Sequence, residues 1–111
     1  MSNILRPIGD FVWYEYMTRE LSKAKSFYGE LFGWTSSEES SFEGGSYAHL
    51  HSGEQAFGGM MSQGDDPAAS PDWLGYVWVE ALEETLERAV AAGGKTLIPI
   101  TGIPDTGRFA V

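Results

Sequence analysis

The chain has 111 residues, a length typical of one domain, and no cysteine, which excludes disulfides and thiolate metal sites. Its formal net charge of −9 disfavours nucleic acid and anionic membranes as partners, because both bind through clustered Lys and Arg. No apolar run approaches the ~20 residues that span a bilayer, and residues 1–10 lack the apolar stretch of a signal peptide. A cytoplasmic location is therefore expected.

The first half of the chain predicts a strand, a helix and three further strands. The stretch FVWYEYMT at 11–18 is typical of a strand, and apolar residues then recur at spacings of three and four up to Phe32, as on one helix face. Thr18 is the expected N-cap and Gly33 the expected C-cap. Three strands should follow. The first begins within residues 34–37, the second is SYAHLHSG and the third is EQAFGGMMS, with a turn at Ser52-Gly53 between the last two.

A segment rich in Gly, Pro, Asp and Ser at 64–72 predicts a linker, and after it the pattern starts again. WLGYVWVE at 73–80 predicts a strand, and ALEETLERAVAAGG at 81–94 predicts a helix that stops at two glycines. KTLIPI should be extended, and GRFAV at 107–111 should begin another strand.

The two halves align without a gap at a constant offset of 61 residues, which indicates an internal repeat. Leu21 then matches Leu82, and Glu15 matches Tyr76. The partner of EQAFGGMMS would fall beyond Val111, so the second unit lacks its last strand in this chain. Either the protein is longer, or a neighbouring chain fills the open sheet edge. We expect a single domain over 1–111, with module one at 8–63, the linker at 64–72 and module two at 73–111.

The stretches VWYEYMTRELSKAKSFYGELFGW and AVAAGGKTLIPITGIPDTGRFAV, together with the repeat, resemble the vicinal-oxygen-chelate superfamily. This superfamily includes glyoxalase I, bleomycin-resistance proteins and extradiol dioxygenases, and the chain is most similar to its broad glyoxalase/bleomycin-resistance-like branch. The resemblance implies an α+β fold of two βαβββ modules whose mixed sheets curve into a half-barrel cup that holds the ligand. The second module would lack its last strand here.

The resemblance also implies where a metal would bind in this fold. Carried over position by position, the ligand sites fall on Trp13, on Leu74, near Gly58-Gly59 and beyond Val111. The first three positions offer no metal ligand. We therefore expect neither a conventional divalent-metal centre nor another cofactor.

Strand alternation predicts which side chains line the cup. If position 13 faces the cup, so do positions 15 and 17, while Tyr14, Tyr16 and Thr18 pack toward the helices. The expected lining consists of Trp13, Glu15, Met17, Leu74, Tyr76 and Trp78. Aromatic walls with one acid are typical of a ligand pocket.

Three interpretations of Glu15 remain open at this point. It can be a core residue that hydrogen-bonds Tyr76 or a basic group. It can contact a ligand, in which case the carboxylate and the aromatic rings would favour an aromatic or cationic molecule. It can also be a general base, because desolvation would raise its pKa.

His49 and His51 lie two residues apart on one predicted strand and so share a face. Together with Glu15 they could form a two-His, one-carboxylate site for a divalent metal such as non-haem iron. The alternative is that Tyr47 and His49 lie at the surface and that His51 is solvated beside the turn.

Three functions follow from these observations. The first is a small-molecule-binding protein that acts as a homodimer or within a longer chain. The second is an enzyme of the same superfamily, lyase-, isomerase- or dioxygenase-like, that uses Glu15 as a base or the Glu15–His49–His51 metal site. The third is an interaction module that pairs through its incomplete sheet edge.

Overall fold

The computed structural model describes residues 7–40, 46–63, 70–103 and 107–111. Both helices and strands are present, which confirms the predicted α+β class. Within the described residues the elements follow the order β1 (Phe11–Thr18), α1 (Leu21–Phe32), β2 (Thr35–Ser40), β3 (Ser46–Ser52), β4 (Gln55–Ser62), β5 (Asp72–Val77), α2 (Leu82–Ala91), β6 (Thr101–Ile103) and β7 (Gly107–Phe109).

The chain divides into two compact units. One unit is Phe11–Tyr76, and the other comprises the described residues of Met1–Asp10 and Val77–Val111. β5 thus belongs almost entirely to the unit that also contains β1 to β4.

The Phe11–Tyr76 unit is built on a mixed sheet with the strand order β2-β3-β4-β1-β5. β1 runs parallel to β4, whereas β3 is antiparallel to both β2 and β4. In this register Glu15 and His49 are both opposite Gly59. The three residues therefore form one row across β1, β4 and β3.

One face of this sheet packs against α1. The buried core residues are Ala24, Ala48, Leu50 and Met60, and the side chains of Tyr16, Leu21, Tyr28 and Phe57 pack around them. Tyr16 therefore faces the helix, as the alternation predicts. Because neighbouring strand residues point to opposite faces, Glu15 lies on the other side of the sheet.

The start of α1 differs from the prediction, whereas its end agrees. The helix begins at Leu21, and the N-cap position is Glu20, which makes no side-chain cap hydrogen bond, so the prediction of Thr18 as N-cap is wrong. The Thr18 hydroxyl instead accepts a hydrogen bond from the Glu20 backbone N–H one residue before the helix. Gly33 ends the helix in the left-handed conformation, with φ of 73°.

Two glycines have structural roles near β4, Gly53 at the turn before the strand and Gly58 inside it. Gly53 turns the chain with φ of 61°. The turn consists of Gly53 and Glu54, one residue later than predicted, because Ser52 is still in β3 and pairs with Gln55. In β4 a Cβ built on Gly58 would lie 2.2 Å from the Tyr14 carbonyl oxygen. Gly58 is thus a point of close backbone approach between β4 and β1, one of the uses expected of a glycine inside a strand.

Several predicted boundaries shift around β5. The strand predicted at 73–80 begins at Asp72 and ends at Val77, because Trp78 turns to exchange backbone hydrogen bonds with Gly9 and Asp10. Of the linker predicted at 64–72, residues 64–69 lie outside the described residues, and its last residue is already part of the strand.

The other unit contains α2 and a separate antiparallel pair, β6 with β7. None of the α2 residues is buried. The helix contributes Leu86 and Val90 to an open groove of about 550 Å³ that is also lined by Thr96 and Ile100. An exposed ion pair joins Arg108 to Glu83. Across the described residues, neither helix is long and apolar enough to cross a membrane.

Candidate functional site

Glu15 is the centre of a hydrogen-bonded cluster within the Phe11–Tyr76 unit. The Tyr47 hydroxyl donates to Glu15 Oε1 over 3.1 Å, and the Tyr76 hydroxyl donates to Oε2 over 3.4 Å. The Glu15 side chain is half-buried between β3 and β5, and each of its carboxylate oxygens accepts one hydrogen bond from a phenol. The contact between Glu15 and Tyr76 joins the two positions that the 61-residue repeat aligns.

Trp13 extends the cluster by one more donor. Its indole Nε1–H donates to the Tyr47 oxygen over 3.0 Å, so the hydrogen bonds run from Trp13 through Tyr47 to Glu15. His49 lies beside them, with its ring edge-on to both Trp13 and Tyr47 at centroid distances of 5.9 and 5.3 Å. We refer to Trp13, Glu15, Tyr47 and Tyr76 as the Glu15 cluster.

The absence of a side chain at Gly59 makes room for the phenol of Tyr47. Tyr47 is paired with Met61 on β4, two residues beyond the partner of Glu15, so its side chain must run diagonally across β4 to reach the carboxylate. A Cβ built on Gly59 would lie 2.0 Å from the Tyr47 hydroxyl oxygen. No other amino acid leaves this path open.

Burial and hydrogen bonding shift the pKa of Glu15 in opposite directions. Desolvation raises the pKa of Glu15 above its ordinary value, and the hydrogen bonds from Tyr47 and Tyr76 partly offset this rise. Burial, followed by the adjacent Glu15 charge, raises the pKa of both tyrosines. Both phenols therefore remain protonated at neutral pH and can donate to the carboxylate.

The structure brings together three of the six residues predicted to line the site, namely Trp13, Glu15 and Tyr76. Met17 and Leu74 are half-buried at strand positions with the same parity as Glu15 and Tyr76. Trp78 follows the end of β5 and belongs to the other unit. A contact between ligand and these residues stays a prediction.

The two histidines occupy different surroundings. His51 lies within hydrogen-bonding distance of the Ser37 hydroxyl, at 3.2 Å, whereas His49 packs against the aromatic rings of the Glu15 cluster. The register between β3 and β4 shifts between Leu50 and His51, so that His49 pairs with Gly59 whereas His51 pairs with Ala56, nearer the turn. In the part of the chain that the structure describes, no three His, Cys, Asp or Glu side chains are grouped as metal ligands.

The positions at which the superfamily resemblance would put metal ligands do not fit a metal. Trp13 presents an indole N–H, which is a donor only and is directed at Tyr47. Leu74 has no donor atom, and the space over Gly59 holds the Tyr47 phenol. These three positions therefore supply no metal ligand.

Tyr47 is the residue of the cluster that sequence reasoning missed, because the sequence suggested only a surface position for it, as the alternative to a metal site at His49 and His51. Two signals in the sequence were available. Tyr47 shares strand parity with His49, and paired glycines at 58–59 indicate a place where another group approaches closely. Neither signal reveals which side chain fills the space, because that depends on the register of β3 against β4.

The fold and comparison with known proteins identify the class of protein. The sequence pattern that describes the Glyoxalase/Bleomycin resistance protein/Dioxygenase superfamily matches residues 10–111, and the chain belongs to this superfamily. The α+β arrangement with a mixed sheet that does not close is consistent with the glyoxalase-type fold.

Two curated relatives carry the same name, "Putative glyoxylase CFP32", and come from Mycobacterium bovis and Mycobacterium tuberculosis. Each is 31% identical to this chain over 110 residues, which is 99% of the chain. The same residues amount to 42% of each relative, so the chain spans less than half the length of the curated relatives it matches.

Proposed function

We propose that this domain binds a small organic cation, with an ammonium or similar donor group held by Glu15 and an aromatic or apolar body against the neighbouring rings. The observation that carries the proposal is the direction of the hydrogen bonds in the Glu15 cluster. The described donors of Trp13, Tyr47 and Tyr76 point inward along paths that end on the carboxylate.

A cluster with this polarity favours a ligand that donates hydrogen bonds. A carboxylate has about four lone-pair positions, and the two phenols use one on each oxygen. The remaining positions can only accept. A cationic donor satisfies them and also compensates the half-buried negative charge, whereas an anionic ligand would be repelled by Glu15.

The rings beside the carboxylate supply the second part of the recognition. The ring of His49 lies edge-on to those of Trp13 and Tyr47, and the faces of the Trp13 and Tyr47 rings attract cations. The formal net charge of −9 attracts the same class of ligand over longer distances.

The test is isothermal titration calorimetry with matched probes that differ in charge and little in shape. Tryptamine and benzylamine are the cations, and tryptophol and benzyl alcohol are their uncharged counterparts. We expect the wild-type protein to bind each cation at least about tenfold more tightly than its uncharged counterpart, the range expected for a hydrogen bond to a charged group.

The control variant is Glu15→Gln, which keeps the size of the side chain and removes its charge. It should lose the preference for the cations, while a second acidic variant, Glu30→Gln, should retain it, because Glu30 is exposed on α1, on the opposite side of the sheet from Glu15. Equal affinity of wild-type protein and Glu15→Gln for tryptamine would contradict the proposal.

A second candidate function is catalysis of proton transfer by Glu15, and the raised pKa of this residue favours it. A carboxylate whose pKa lies closer to neutral is a stronger base when ionised. This candidate predicts enzymatic turnover that depends on Glu15. A screen for enolisation of small carbonyl compounds, followed by solvent deuterium incorporation, would detect it, and the Glu15→Gln variant should be inactive.

The assembly and cellular location belong to the same proposal. We infer a cytoplasmic protein that works as a homodimer or as part of a longer chain, as expected for a superfamily whose ligand cups are built from several modules. Sedimentation equilibrium of the purified chain measures the first point, and fractionation of the producing cells measures the second.

A further inference from the structure

We propose that Gly59 and Tyr47 act together as a positioning device for Glu15, in which the missing side chain at 59 lets the Tyr47 phenol cross β4 and hold the carboxylate in place for a cation. This inference rests on the proposed function, because it concerns the same carboxylate. It adds a positioning role for Gly59 and for the Tyr47 hydroxyl, which is separate from the attraction of the Tyr47 ring face for a cation.

The geometry restricts how Tyr47 can reach Glu15. The two residues lie on β3 and β1, which are separated by β4, and the row that joins Glu15 to β3 passes through Gly59. The Tyr47 oxygen occupies the space where a side chain at 59 would begin. It accepts from Trp13 at 3.0 Å and donates to Glu15 at 3.1 Å, which fixes the direction of its own O–H.

The consequence for the carboxylate is electrostatic. Burial raises the pKa of Glu15, and the hydrogen bond from Tyr47 is the largest of the influences that lower it. Without that hydrogen bond the carboxyl group would become protonated at a higher pH, and a neutral carboxyl group does not attract a cation. The Tyr47 phenol therefore widens the pH range over which the site can bind.

The described groups that face Glu15 are few. Tyr47 hydrogen-bonds it from β3 and Tyr76 from β5, and His49 of β3 packs against the Tyr47 ring. β4 has no titratable side chain. Tyr14 and Tyr16, its neighbours on β1, lie on the opposite face by alternation.

The decisive experiment measures the pH dependence of tryptamine affinity between about pH 4 and pH 8, a range in which the probe itself stays charged. We compare wild-type protein with Tyr47→Phe, which removes only the hydroxyl, and with Gly59→Ala, which blocks its path. As the pH is lowered, both variants should lose affinity for tryptamine at a higher pH than the wild type does. The double variant, Gly59→Ala with Tyr47→Phe, should have nearly the same pH midpoint as either single variant. Gly102→Ala is the matched control, because a Cβ there meets no atom within 4 Å, and its curve should coincide with the wild type.

A purely structural role for Gly59 predicts a different result. It would lower the melting temperature of Gly59→Ala and leave the pH midpoint of binding where it is in the wild type, which would overturn the inference. If Gly59→Ala does not fold, Gly59→Ala with Tyr47→Ala should restore folding, because the clashing phenol is gone. Tyr47→Phe alone then measures the shift, and an unshifted midpoint in that variant overturns the inference as well.

The inference and the proposed function fail in distinguishable ways. The carbon-13 shift of the Glu15 carboxyl group reports its pKa in the absence of any ligand. Raised values in Tyr47→Phe and Gly59→Ala, without tryptamine binding by the wild type, would support the positioning device and contradict the proposed ligand. Tryptamine binding by the wild type, with an unchanged Glu15 pKa in both variants, would support the proposed ligand and contradict the positioning device.

Discussion

At Glu15 the requirements of folding and of the proposed cation binding oppose each other. Burial disfavours the ionised carboxylate, and the two phenols recover only part of the lost hydration. A residue that served stability alone would be better replaced by an uncharged side chain of the same size. The charge disfavours burial of this side chain, and the proposed binding of a cation depends on it.

This opposition gives a prediction for stability against pH. Because the pKa of Glu15 is raised in the folded state, its protonated form favours folding below the ordinary value of 4.5, and this contribution is lost as the pH rises through the folded-state pKa. The free energy of unfolding of wild-type protein should therefore fall relative to Glu15→Gln between about pH 4 and pH 8. Urea denaturation of both proteins across this range measures the difference, and a difference that does not change with pH would contradict the assignment.

The sequence was sufficient to predict part of the site at the scale of single residues. Alternation along residues 11–18 placed Glu15 on the face opposite the helix, and the repeat paired it with Tyr76, which the structure joins by a hydrogen bond. Tyr47 could not be predicted, because its side chain crosses a neighbouring strand. Such a path is set by the pairing of three strands, and local patterns in one strand do not contain it.

At the scale of elements, the two glycines of β4 have different tasks although they are adjacent. Gly58 faces the backbone of β1, where the nearest obstacle to a side chain is the Tyr14 carbonyl. Gly59 faces a phenol, which can rotate away. The first glycine therefore permits the sheet to form, and the second permits the Glu15 cluster to form.

We expect Gly58→Ala to destabilise the protein severely, by about 3 kcal/mol or more, because the backbone of β1 would have to shift. Gly102→Ala should change the stability by less than about 0.5 kcal/mol, since nothing lies near its Cβ. Thermal denaturation followed by circular dichroism measures both. Equal melting temperatures for the two variants would show that the approach of β4 to β1 is not as close as described.

The elements themselves were largely predictable, and their ends less so. The spacing of apolar residues predicted both helices, and the turn residues predicted the hairpin at Gly53. The start of α1 was misplaced because Thr18 makes its hydrogen bond to Glu20 before the helix begins, a local alternative to capping that the same residue type permits. The end of β5 was missed because Trp78 still reads as an apolar strand residue but pairs with Gly9 and Asp10.

At the scale of the whole molecule, the buried core is unevenly distributed. The described hydrophobic residues that are fully buried, among them Leu50 at 2% and Met60 at 0% exposure, lie in the Phe11–Tyr76 unit. No residue of α2 is buried in the other unit. Because burial of apolar surface is the main source of stability, the two units should differ in their resistance to unfolding.

Hydrogen exchange tests this difference directly. Amides of β1, β3 and β4 should be the most protected in the chain, and those of α2 should exchange at least about tenfold faster, as expected of locally unfolding segments with few buried contacts. Mass spectrometry of peptides after deuterium labelling resolves the two regions. Equal protection of α2 and β4 would indicate a cooperative unit that the distribution of buried residues does not predict.

The measurement that tests the central claim most directly is the carbon-13 titration of the Glu15 carboxyl group with and without tryptamine, with Glu15→Gln used to assign the signal. We expect the free protein to show a pKa above the ordinary value of 4.5, and saturation with tryptamine to lower it, because a bound cation favours the ionised carboxylate. An identical titration curve in the presence of tryptamine and of tryptophol would contradict the assignment of Glu15 as the cation-binding group.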